Sequence, residues 1–248
     1  MDRLLYSSLT AMRSAMARQA TIANNLANAN TSGFRAEMAA TRPLWVQGQG
    51  LPTRAVASEE VLSADMSAGT VTHTGRDLDV ALKGDALLAV QTGDGEEAYT
   101  RRGDLQLSDS GLLTDGGGQP VLGDSGPITL PPADKIMISA DGTISIVPPG
   151  GDASSPQDVD RLKLASPQGS NVVKGLDGLF RVRGGGVLPS DPDAKVESGA
   201  IEGSNVDSSA MLIQMIEASR SWDSQVRMIS TAKQMDTDAA DLMRMPDS

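Results

Sequence analysis

From Leu212 to Leu242 the chain reads LIQMIEASRSWDSQVRMISTAKQMDTDAADL. Within it Leu212, Met215, Trp222, Val226, Ile229, Ala232, Met235, Ala239 and Leu242 recur at helical spacing. Residues three and four apart share one face of a helix, and an apolar face needs a partner to cover it. Leu5, Leu9, Met12, Met16, Ala23 and Leu26 repeat the pattern at the other end of the chain. Two sticky helices bracketing a middle without that period point to termini that pair with each other or with neighbouring molecules. The first helix is expected from about Arg3 to about Asn28, with Thr31-Ser32-Gly33 as its stop, because glycine accepts the left-handed backbone that ends helices. The second is expected to open after Ser204-Asn205-Val206-Asp207, where several side chains can cap free N–H groups. It should run to about Met243, about 50–55 Å at 1.5 Å per residue. Its stripe takes steps of three through Ile229, Ala232 and Met235, so the contact should drift around the helix.

Composition narrows the function classes. Aromatics are 2% of 248 residues, leaving core volume to aliphatic side chains and twelve Met, which adapt to slightly different partners. The absence of Cys removes disulfides, thiol nucleophiles and thiolate metal sites. The single His, His73, is read as a surface residue, so no metal site is expected. A net charge of −11 with no basic patch disfavours nucleic acid. The N-terminus shows no apolar h-region, and no run approaches the ~20 apolar residues of a membrane span. Residues 1–35 resemble a transit peptide only superficially, since that reading leaves the matching C-terminal helix unexplained.

Between the helices, 36–77 reads as an extended, partly β connecting segment. From Leu78 the period becomes two, as in Leu78–Leu82, Leu105–Leu107, Ile136–Ile138, Ile144–Ile146 and Leu162–Leu164, with Asp-Gly and Gly-rich turns between. These short strands define a central, mostly antiparallel β domain at 78–183, with 148–158 as a flexible loop. Residues 184–203 read as a linker. The fold class is therefore α+β, with a helical terminal domain formed by 1–35 and 204–248. Gly116–Gly118 and Gly184–Gly186 lack the Lys-Ser/Thr of a phosphate loop and read as turns or hinges.

Residues 24–34 read Asn-Asn-Leu-Ala-Asn-Ala-Asn-Thr-Ser-Gly-Phe. Asn at the end of an Ala-rich helix can bond its own last turn and a neighbouring backbone without adding charge. Four Asn in seven residues exceed what a helix cap requires. The stretch resembles the N-terminal signature of bacterial flagellar rod and hook proteins. Lys83-Gly84, Ala98-Tyr99-Thr100-Arg101-Arg102-Gly103 and Gly111-Leu112-Leu113-Thr114 are similar to that family's central β domain, and Ser204-Asn205-Val206 to its C-terminal segment. Within the family, Arg76–Leu82, Gly126–Pro131, Ala140–Ser145 and Gly178–Arg181 look most like proximal-rod members. Lys83-Gly84-Asp85-Ala86-Leu87-Leu88 lacks the double aromatic of distal-rod relatives, and 248 residues cannot hold the outer insertion of hook proteins. Ser208 stands where some members carry Pro.

The resemblance implies end helices that pair in a coiled-coil-like way and line a tube, with the β domain outside. It implies a structural subunit of the proximal rod, a hollow shaft that transmits torque and passes exported subunits. The alternative within the family is a distal-rod or hook-type relative. Of other classes, a cell-wall glycan hydrolase would need a carboxylate pair such as Asp77 with Asp79, and a secreted β-rich adhesin would leave the helices without a task. No enzyme activity and no cofactor are expected. The expected assembly interface comprises Leu5, Leu9, Met12, Met16, Asn24, Asn25, Leu26, Asn28, Asn30, Gly33 and Phe34 with Asn205, Leu212, Met215, Trp222, Val226, Ile229, Met235 and Leu242. Implied partners are the chain itself, its proximal-rod siblings, the distal-rod protein and the flagellar type III export apparatus. The implied location is the periplasmic rod of the basal body, reached without cleavage of a signal peptide.

Overall fold

The computed structural model describes residues 2–45, 55–152 and 155–243. The chain divides into two compact units. One holds α1 (Asp2–Ala27), the strands Glu37–Trp45 and, up to Ser63, Ala55–Ala64, which pair as a two-stranded sheet, and α2 (Ser208–Met243). The other holds residues 28–36 and 64–206 and is built almost wholly of β structure. The chain is thus α+β, as expected.

Within the helical unit α1 and α2 pack against each other. Asn25 bonds to Glu37, and Ala36 beside it to Asn205, three residues ahead of α2. Hence α1 ends where α2 begins, and the helices run antiparallel. α1 has 26 residues and α2 has 36, an excess of about 15 Å of helix. No helix among the described residues is long and apolar enough to cross a membrane.

In the β unit a five-stranded antiparallel sheet runs in the order Leu164–Ala165, Leu87–Gln91, Glu97–Thr100, Phe180–Val182, Val172–Lys174. Its second strand, Leu87-Leu88-Ala89-Val90, lacks alternation because both faces are covered. Leu88 and Val90 join one apolar cluster with Leu105, Leu113, Ile144 and Leu162, while Leu87 and Ala89 join another with Tyr99 and Phe180. A second sheet of three strands comprises Lys135–Ile138, Thr143–Val147 and Gln157–Arg161.

Three sequence-based expectations change. The stretch 148–158, expected as a loop, runs into a strand at Gln157, whose polar side chains gave no apolar pattern to read. Residues 184–203, expected as a linker, contain Val196–Ser198 and Ala200–Glu202. These pair with Val80–Leu82 and Val71–His73 and close the β unit beside its own beginning. Finally, α1 stops at Ala27, six residues before Gly33, so Gly33 does not cap it.

Candidate assembly interface

The Asn-rich signature is tied to the backbone that follows it. Asn25 is 4% exposed, accepts the Glu37 N–H at 2.8 Å and donates to the Glu37 carbonyl at 3.0 Å. One carboxamide so satisfies both backbone groups of a single residue, as a neighbouring strand would. Asn24 donates to the Glu37 carboxylate at 2.7 Å. Asn28 Oδ1 accepts the Thr31 hydroxyl at 3.2 Å within the turn, and Asn30 is exposed.

Gly33 has a φ of +64°, and its N–H donates to the Glu202 carbonyl at 2.7 Å. A Cβ there would lie 2.2 Å from the Arg101 carbonyl oxygen. Glycine is required by contact and conformation together. Phe34 is buried under Lys174, whose ammonium lies 3.4 Å from the ring centroid and donates to the Arg35 carbonyl at 2.9 Å. Asn205 accepts the Ala36 N–H at 2.7 Å and donates to the Asp65 and Ser67 carbonyls at 2.9 and 3.0 Å.

At the centre of this cluster Glu202 joins two arginines, all three at most 2% exposed. Its Oε1 accepts from Arg35 Nη2 at 2.7 Å and from the Gly69 N–H at 2.9 Å. Its Oε2 accepts from Arg101 Nε and Nη2. Arg101 also donates to the carbonyls of Leu82, Gly84 and Ala86. Burial alone would raise the Glu202 pKa, but the hydrogen bonds from Arg101 and Arg35 hold it below the usual glutamate value. Burial likewise pulls Arg101 down, with Glu202 working in the opposite sense.

The helical stripes divide. From Met211 to Ala232 the less exposed residues of α2 are Met211, Met215, Ala218, Trp222, Gln225, Ile229 and Ala232, at alternating steps of four and three. Leu212, Val226 and Met235 face outward at 50%, 43% and 61% exposure. On α1, Met12 and Leu26 are half-buried, whereas Leu9 and Met16 are exposed. Also covered on α1 are Ile22 and the small or polar residues Thr10, Ser14, Ala17 and Thr21. The side chains of Leu5 and Leu242 lie outside the described residues.

Sequence reasoning missed Arg35, Lys174 and Glu202 as members of this cluster, and met Arg101 only inside a motif. Arg35 and Glu202 are 167 residues apart, and an isolated charge carries no period. Asp79, a candidate for glycan hydrolysis, is 2% exposed and accepts the Thr74 hydroxyl at 2.5 Å, which makes it part of a turn.

Three family models match the chain. They are described as Flagella basal body rod protein, over residues 5–35, Flagellar hook protein FlgE/F/G D1 domain, over 81–146, and Flagellar basal body rod FlgEFG protein C-terminal, over 197–242. The chain is 44% identical to the flagellar basal-body rod protein FlgF of Escherichia coli, across 93% of this chain and 94% of that protein. It is 40% identical to FlgF of Salmonella typhimurium, across 99% and 100%. With FlgG of Bacillus subtilis, also a flagellar basal-body rod protein, identity is 29% across 98% and 100%.

Proposed function

The chain belongs to the flagellar basal-body rod protein family and is FlgF-like, and from that premise we propose that it polymerises through its terminal helices as a structural subunit of the proximal rod. The observation that carries this is the division of the helical stripes. An antiparallel pair covers one face of each helix and leaves Leu9, Met16, Leu212, Val226 and Met235 in water. Apolar side chains recurring along paired helices suit repeated burial against identical neighbours. The alternating four-three seam on α2 supports a coiled-coil-like pair, and the tube it would line passes exported subunits. The chain acts as a building element without catalysis. Its neighbours are further copies, the other proximal-rod proteins and the distal-rod protein. Greater identity to FlgF than to FlgG favours the proximal position over the distal one.

Export follows the flagellar type III route with the N-terminus retained, and the rod stands in the periplasm. Support comes from α1, which is half of the helix pair, so cleavage behind it would remove an assembly element. Mass spectrometry of isolated rods should find the peptide containing Arg3; rods shortened past α1 would refute this route.

The test of the helical interface is a pair of substitutions. Met16→Asp places a charge on the outward face and should leave the monomer folded, with unchanged helix content, yet give cells without filaments. Trp222→Asp buries a charge within the pair itself and should also lower helix content. Normal motility in Met16→Asp cells would overturn the proposal, since the outward stripe would then be solvent-facing in the rod.

A further inference from the structure

We infer that Glu202 is a completion latch: residues 33–36 and 65–69 dock onto the β unit only when the segment carrying Glu202 and Asn205 has joined them. Arg35 is 1% exposed, and its side chain meets a counter-charge at Glu202 Oε1, 2.7 Å away. The Nε and Nη1 of Arg35 have no hydrogen-bond partner among the described residues. Without Glu202, the Arg35 and Arg101 guanidiniums would be two cations sharing one dry site, and the mobile one of the two would return to water. Arg101 is held by three carbonyls, while Lys174, which holds the Arg35 carbonyl and the Phe34 ring, adds a further cation and no counter-charge, so the one released is the Arg35 guanidinium together with its connector.

Backbone bonds point the same way. The Gly33 N–H is received by the Glu202 carbonyl, the Gly69 N–H by the Glu202 carboxylate and the Ala36 N–H by Asn205. The Asp65 and Ser67 carbonyls receive the Asn205 amide. Each bond has one end in residues 202–205, directly ahead of α2. Given the reading of the helices as the assembly device, a chain whose segment 202–205 has not yet docked would leave residues 33–36 unfixed and present no complete subunit to a growing rod.

The test is hydrogen exchange on the full-length chain, read by mass spectrometry. During refolding from urea, peptides covering 33–36 and 65–69 should gain protection in the same kinetic phase as 197–205. Protection of 33–36 in an earlier phase overturns the latch. In native Glu202→Gln, exchange at 33–36 and 65–69 should quicken at least tenfold while the central strand 87–91 keeps its protection; wild-type exchange at 33–36 overturns the latch. Should Glu202→Gln lose the whole β unit, Arg35→Met decides. It leaves Glu202 paired with Arg101 and should quicken exchange at 33–36 alone, and unchanged exchange there is equally fatal. These outcomes concern the monomer, so failure of the helix-pair reading would leave them standing.

Discussion

At Asn25 a side chain does the work of a strand, giving its donor and its acceptor to one residue. Asp in its place would keep the acceptor and lose the donor, leaving the Glu37 carbonyl without this bond. At Gly33 the constraint is steric. Gly33→Ala combines a left-handed φ with a Cβ driven into the Arg101 carbonyl, for a cost of about 2 kcal/mol or more. Calorimetry should show Tm falling by roughly 4–8 °C for a chain of this size. At Glu202 the constraint is electrostatic. Because the folded pKa lies below the ordinary value, this carboxylate stabilises the fold above the ordinary glutamate pKa and ceases to do so as pH falls through the folded value. The stability gap between wild type and Glu202→Gln should therefore be full at pH 7 and shrink below pH 4. Urea titrations at the two pH values measure it, and a constant gap would contradict the assigned direction.

Among the elements, α1 is unusual in what it covers. Its covered residues include Thr10, Ser14, Ala17 and Thr21 beside Met12 and Ile22, while Leu9 and Met16 look outward. Small inward residues let two backbones approach closely, and on α2 the small Ala218 is 9% exposed. A larger side chain on this face should wedge the pair apart. Ala17→Leu is expected to destabilise the helical unit by about 1–3 kcal/mol, the usual cost of overpacking, with helix content melting earlier by circular dichroism. Ala20→Leu, on the exposed face of the same helix, should leave that melting curve in place. If both variants melt alike, the inward face has been assigned wrongly.

Over the whole molecule, apolar burial is unequal. Two clusters of buried aliphatic and aromatic side chains lie in the β unit, whereas Ile22 and Ala218 are the buried apolar residues among the described ones in the helical unit. Hydrophobic burial scales with area, so the helical unit of an isolated chain should open first. Both tryptophans, Trp45 and Trp222, belong to the helical unit, while buried Tyr99 belongs to the other. Urea should shift tryptophan fluorescence before it changes the near-ultraviolet signal of Tyr99. Coincident transitions would mean one cooperative body. Limited proteolysis should leave a β fragment reaching at least Glu202, because Val196–Ser198 and Ala200–Glu202 pair with strands near residue 80 and residue 72.

The sequence by itself determined the two end helices, the β character of the middle, the family signature at 24–34 and the absence of thiol chemistry. Those properties are local, carried by period, turn residues and composition over windows of ten to thirty residues. The strand Leu87–Gln91 and the pairing of 196–202 with 71–82 stayed hidden, the first because burial on both faces erases alternation, the second because pairing partners leave no mark on one another's period. Which apolar residues of each helix face inward was likewise closed to a reading of stripes, since α1 covers Met12 and Ile22 together with small and polar residues and leaves Leu9 and Met16 exposed. The Arg35–Glu202–Arg101 cluster belongs wholly to tertiary structure. Three charges far apart in sequence become one buried site only when the chain returns to its own beginning, and the low dielectric found there is a property of the folded body that no residue carries alone.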